Sequence, residues 1–170
     1  MVSCTYSILH KKKYRGVGKL SLSGNITHIL NGTLESVKSV IPMPLVVGQP
    51  SLMTAPLEQT EIGVLIGMVG HVRGRLVLES AAKTFGAIGE AMFGMPLEGE
   101  MLQSFTGELG NMLAGKLCTI VASHGVDIDI TPPTVMVGSS KLYGFDRAFR
   151  VPVAIEGKGE IHIILMLETK

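Results

Sequence analysis

Glu108 and Asn111 stand three residues apart in a stretch, residues 101–124, whose apolar side chains recur at helical spacing. At about 100° per residue, Ser104, Glu108, Asn111 and Gly115 share about 60° of arc. Leu102, Phe105, Leu109, Leu113, Leu117 and Ile120 cluster about 150° away and form an apolar wall. Side chains at i and i+3 project together from a helix. An acid and a carboxamide held side by side on a rigid rod can grip a cation and aim a water molecule. The bland alternative is a solvated face, which any amphipathic helix carries.

Glycines crowd this pair. Gly107, Gly110 and Gly115 lie in the same helical stretch, and each costs about 1 kcal/mol relative to alanine. Missing side chains there allow either a partner's backbone or the protein's own second helix to approach closely. Both readings stay open on geometry alone.

Other candidate chemistry fails on spacing. Residues 110–117 nearly spell a nucleotide-binding loop, but Leu117 replaces the hydroxyl residue and the segment is helical rather than a strand-to-helix turn. Lys116 falls near the apolar face, where its stem packs and its amine reaches outward. His10, His28, His71, His124 and His162 have no spacing that unites two on one helical face. Asp127 and Asp129 alternate with apolar residues as on a half-exposed strand. No serine or cysteine has a histidine at a nucleophile motif's spacing.

Composition bounds the rest. A chain of 170 residues suits one domain or two fused halves sharing a core. Hydrophobic residues make up 46% and charged residues 17%, enough for a substantial core. Fifteen basic and fourteen acidic residues balance, so no global field recruits nucleic acid or membrane. No apolar run spans a bilayer and no signal-type segment opens the chain, so a cytoplasmic protein is expected. Cys4 and Cys118 offer no disulfide framework, in keeping with a reducing compartment. Cys118 reads as a packing thiol.

Residues 1–24 stand apart as a basic extension carrying Lys11, Lys12, Lys13, Arg15 and Lys19. A single domain is expected over 25–170. Ile26, Leu30, Leu34, Val37 and Ile41 predict a first helix stopped by Pro42. Residues 45–52 read as extended, broken by Gly48 and Pro50. Residues 62–69 and 74–78 predict a hairpin about His71-Val-Arg-Gly74. Ser80 is a plausible cap for a helix burying Ala81, Phe85, Ile88 and Met92 and ending at Gly94. After the long helix, 126–138 reads as strand, followed by a polar loop and a hairpin of 149–156 with 160–167. The order predicts an α+β fold, long helices on a largely antiparallel sheet, with each half holding a principal helix and strands.

Here the residues carry a resemblance. Ser104-x-x-x-Glu108-x-x-Asn111, followed by Ala114-Gly115, resembles the active helix of the CheC/CheX/FliY chemotaxis phosphatases. Asp127-Ile-Asp-Ile-Thr-Pro-Pro-Thr-Val-Met-Val-Gly138 is similar to the strand segment after that helix, and Gly70-His-Val-Arg-Gly74 with Arg75-Leu-Val-Leu78 to the family's central hairpin. The likeness covers about residues 28–168, and its motifs are most specific over 104–138. The principal helix and strands of each half suggest a degenerate internal duplication. In the first half, Asn31, Glu35 and Lys38 occupy the corresponding stretch, with lysine where asparagine would be needed. A lysine tip has no acceptor for a water proton, so one site per chain is expected, as in CheX-like members.

The resemblance further implies hydrolysis of the aspartyl phosphate on a CheY-type response regulator. Asn111 would orient the attacking water and Glu108 would pair with the regulator's lysine, while Ser104 would hydrogen-bond Glu108 or the partner's backbone and Gly107 and Gly115 would meet the partner. Mg²⁺ would come from the regulator, with no cofactor or metal bound by this chain. A homodimer joined through sheet strands, with 161–167 as one compatible strand, is also implied. The competing reading is a non-catalytic dimeric module that binds a receiver domain or flagellar-switch component.

Overall fold

The computed structural model describes residues 24–168. The basic extension expected over 1–24 lies outside the described residues, apart from Gly24. Helix α1 (Gly24–Val40) buries Leu30, Leu34 and Val37 of the apolar series read from the sequence, and Ile29 beside them, while Ile26 is only half-buried and Ile41 is buried just past the helix end. Five strands follow: β1 (Leu45–Val47), β2 (Ser51–Thr54), β3 (Leu57–Gln59), β4 (Ile62–Gly70) and β5 (Gly74–Ser80). Helices α2 (Ala82–Phe93) and α3 (Gly99–Ala122) lead into β6 (Ile128–Ile130), β7 (Thr134–Val137), β8 (Ser140–Leu142), β9 (Arg147–Ile155) and β10 (Gly159–Leu167).

Eight strands form one sheet in the order β1-β9-β10-β5-β4-β6, with β2 also on β9 and β7 also on β4; β3 and β8 make a separate ribbon. All of these pairings are antiparallel. The arrangement is a two-fold repeat centred between β5 and β10. Leu45 to Ile128, Ser51 to Thr134 and Leu57 to Ser140 are each 83 residues apart, and the hairpin starts Ile62 and Arg147 are 85 apart. This is the expected duplication laid out in space. Gly48 and Pro50 break β1 from β2 much as Pro132 and Pro133 break β6 from β7, because proline donates no ladder hydrogen bond.

Helices α1 and α3 lie on one sheet face and run antiparallel: the His28 and His124 rings stack at 4.6 Å, while Gly32 faces Leu117 and Val121. Beneath them, Val64, Ile66, Leu76, Leu78, Val151, Val153, Ile163 and Leu165 form the main core. Thr33 and Thr106 are buried there, and each hydroxyl donates to the carbonyl four residues back, at 2.7 and 2.8 Å. On the other face Val77, Ala148, Ile164 and Met166 pack under the β3–β8 ribbon through Leu57 and Leu142.

Three expectations change. Ser80 does not cap α2: it ends β5 and donates to the Glu160 carbonyl at 2.6 Å, because Ala81 takes the cap position. The first-turn amide of Ala82 instead donates to Glu61 Oε2 at 2.8 Å. The polar loop after residue 138 contains β8, too short to show a period. Residues 161–167 form a central strand paired on both sides, by β9 and β5, so they cannot serve as a dimer edge.

Candidate functional site

Helix α3 sits directly over β4, β6 and β7. Leu102, Phe105, Leu109, Leu113 and Leu117 are buried as the period requires, and Thr106, Gly107 and Gly110 widen that inner face. Ile120 is only half-buried and lies against α1, where a Cβ on Gly32 would stand 3.4 Å from its Cγ2. Ser104, Glu108 and Asn111 are exposed along the outer face. None of these three side chains has a hydrogen-bond or ion-pair partner among the described residues. Ser104 therefore does not brace Glu108 within the chain. The acid and the carboxamide are free to take an external partner.

The glycines divide between the two readings. A Cβ on Gly110 would lie 2.7 Å from Val64 Cγ1, and one on Gly107 would lie 3.0 Å from Val135 Cγ2. Both face the protein's own sheet, so Gly107 is corrected from a partner-facing position to a packing one. The approach is to strands, not to a second helix. Gly115 is different: nothing lies within 4 Å of its missing side chain. It leaves a shallow gap in the stripe beyond Asn111.

At the other end of the stripe lies an apolar groove of about 620 Å³. Leu97 and Phe105 floor it, and Phe93, Met95 and Met101 wall it while remaining 59%, 47% and 53% exposed. Glu100, Ser104 and Glu108 complete its lining. Phe93 meets Phe105 edge-on with centroids 5.9 Å apart, an arrangement aromatic quadrupoles favour. Sequence reading did not find this groove. Its signal on α3 was Met101, a large apolar residue exposed beside the polar stripe; the other wall comes from the end of α2 and the α2–α3 connection.

The first half lacks a matching pair. Carrying the 83-residue strand displacement onto the helices sets Glu108 and Asn111 opposite Asn25 and His28, rather than opposite Glu35 and Lys38. His28 is half-buried against His124, and Asn31 is turned inward with its Oδ1 buried and unpartnered. Glu35 and Lys38 are exposed without forming the acid–carboxamide pair. One such pair is present among the described residues.

Several other titratable groups tie strands and turns together. His71 Nδ1 accepts from the Asp127 amide at 3.0 Å, and the His71 amide donates to the Asp127 carbonyl at 2.9 Å, which ties the β4–β5 turn to β6. His162 lies 2.6 Å from Glu160 and 3.0 Å from Arg150, which also reaches the buried Glu79 at 3.3 Å. Burial raises the Glu79 carboxyl above its usual range, against the opposing pull of Arg150 and His162. Burial likewise pushes the Cys118 thiol up, reinforced by Asp129. Among the described residues no cluster of three or more His, Cys, Asp or Glu is placed to hold a metal ion.

The family model for the chemotaxis phosphatase CheX matches residues 62–148, a span that includes Glu108, Asn111 and the strands beneath them. The chain belongs to the chemotaxis phosphatase CheX family. A curated CheX-family relative, the CheY-P phosphatase CheX of Thermotoga maritima, is 27% identical over 149 residues, covering 85% of this chain and 96% of the relative. A CheC-like superfamily protein from Shewanella sp. PV-4 shares the CheX-type fold with a TM-score of 0.73 at 24% identity, over 87% of this chain and all of that one. A chain of the CheX–CheY–BeF₃–Mg²⁺ complex from Borrelia burgdorferi superposes with a TM-score of 0.71 at 20% identity, over 85% of this chain and 98% of that one. The expected α+β architecture, helices on an antiparallel sheet, is the one these CheX and CheC-like proteins have.

Proposed function

We propose that this CheX-family protein hydrolyses the aspartyl phosphate of a CheY-type response regulator. The observation that carries the reading is the pairing of Glu108 and Asn111, exposed and unpartnered on the outer face of α3. The Thermotoga relative is a CheY-P phosphatase and the Borrelia relative is seen with CheY and Mg²⁺, which supports the same partner class here.

An acyl phosphate is already activated, and phosphoryl transfer through a loose transition state needs chiefly an in-line water and charge neutralisation. Asn111 supplies the first: its carboxamide oxygen accepts from the attacking water and holds it in line, while its NH₂ faces the phosphoryl oxygens. Positioning of this kind is worth several kcal/mol. Glu108 pairs with the regulator's lysine and sets the depth of docking. The regulator brings the Mg²⁺ that neutralises the phosphoryl charge. The products are inorganic phosphate and the free aspartate carboxylate.

Ser104 and the gap at Gly115 border the contact. No helix among the described residues is long and apolar enough to cross a membrane, and a cytoplasmic setting follows from the partner. A homodimer, if joined through the sheet as in the family, uses the β1–β2 or the β6–β7 edge, where Val46 and Val137 are exposed. The deciding experiment is phosphate release from several phosphorylated receiver domains. Faster release with catalytic amounts of this protein supports the phosphatase; tight binding without release supports the non-catalytic module.

A further inference from the structure

We infer that the groove beside Glu108 is a docking pocket for an apolar side chain that stands next to the active-site lysine of the same CheY-type receiver domain. The inference rests on the partner proposed above and adds what selects that partner. Three large apolar side chains, Phe93, Met95 and Met101, stay more than two-fifths exposed around one concavity, which marks an interaction site more than a tolerated surface. The groove is continuous with the reactive stripe, since Ser104 and Glu108 line both. Its bottom is apolar and its rim carries two carboxylates, Glu100 and Glu108, with no basic residue in the lining.

That charge pattern chooses the occupant. A receiver domain that presents its lysine to Glu108 places a cation at the rim and its neighbouring apolar side chain over the floor. A second copy of this chain that met this one groove to groove about a two-fold axis would set the same acidic rim against itself, and like charges facing each other oppose association. The two methionines are unbranched and polarizable, so the wall adapts to the side chain it receives. Phe93, held edge-on by Phe105, gives the opposite wall a fixed shape. Glu108 then anchors charge and the groove anchors shape, which leaves Asn111 at a set distance from the phosphoryl group.

The test measures the affinity of CheY-type receiver domains loaded with Mg²⁺ and beryllofluoride for wild type, the M95Q/M101Q double variant and the M95L/M101L double variant. Both sites are exposed, so the fold tolerates the changes, and the leucine pair controls for side-chain loss. The glutamine pair should bind about tenfold or more weakly, because apolar contact is replaced by a polar tip of equal length. The leucine pair should stay within about threefold of wild type. Equal affinity of the glutamine pair and wild type would overturn the inference. So would a glutamine pair that keeps its receiver affinity but loses self-association in sedimentation, since the groove would then be a contact between copies. Wild type that binds through the groove yet releases no phosphate contradicts the phosphatase reading and leaves the groove standing. Wild type that binds no loaded receiver overturns both.

Discussion

Glu108 and Asn111 do different work, so their substitutions should fail differently. Replacing Glu108 with alanine removes one side of a charge pair formed only in the complex. Such truncations cost about 2 kcal/mol or more, so kcat/KM should fall about thirtyfold, mostly through weaker receiver binding measured by titration. An unchanged dissociation constant would mean that α3 docks by another route. Gly115 offers a sharper contrast at the same scale. With open space around it, Gly115→Ala should stabilise α3 by about 1 kcal/mol in urea denaturation, yet weaken receiver binding by closing the gap beside Asn111. Higher stability with full affinity would show that the gap is unused.

At the scale of elements, α3 is where sequence and structure agree most, and where the role of each glycine depends on the strands beneath it. The leucine wall was legible because an apolar face of 3.6 period is a packing requirement. Which glycines met the protein itself was not, because that depends on the strands beneath. Gly110→Ala should destabilise the protein by about 1 kcal/mol net: overpacking against Val64 costs about 1–3 kcal/mol, less the helix propensity gained. Chemical denaturation of the G110A and G115A variants side by side should give opposite signs. The same limit explains other misses. Ser80 has the cap-forming side chain, but the ladder to β10 claims it as a strand residue. Strand β8 has only three residues, too few to reveal alternation. The groove depends on the α2–α3 connection folding back beside α3, a placement no local pattern encodes.

Over the whole molecule, the two-fold repeat builds two equivalent helix-on-sheet halves and equips one with the reactive pair. The halves are interleaved, with β5 on β10, β1 and β2 on β9, β6 and β7 on β4 and β3 on β8, and Glu79 and His162 face each other at the central seam. Because burial raises the Glu79 carboxyl, the folded state holds this proton more tightly than the unfolded chain. Its ionised form therefore costs stability above the raised value, and that cost disappears as pH falls toward the ordinary carboxylate range. Glu79→Gln should denature at higher urea concentration relative to wild type at pH 7 than at pH 5, with the gap closing on acidification. A gap that widens would mean that Arg150 and His162 outweigh burial.

The proposed activity turns on one amide acting on another protein's phosphoryl group. The direct measurement is the decay of a phosphorylated CheY-type receiver with and without the Asn111→Ala variant, alongside that variant's affinity for the beryllofluoride-loaded receiver. Loss of a water-positioning group should slow catalysed decay by about a hundredfold or more, while affinity stays within about threefold because Glu108 and the groove remain. Decay at the wild-type rate with alanine at this position would contradict the central claim.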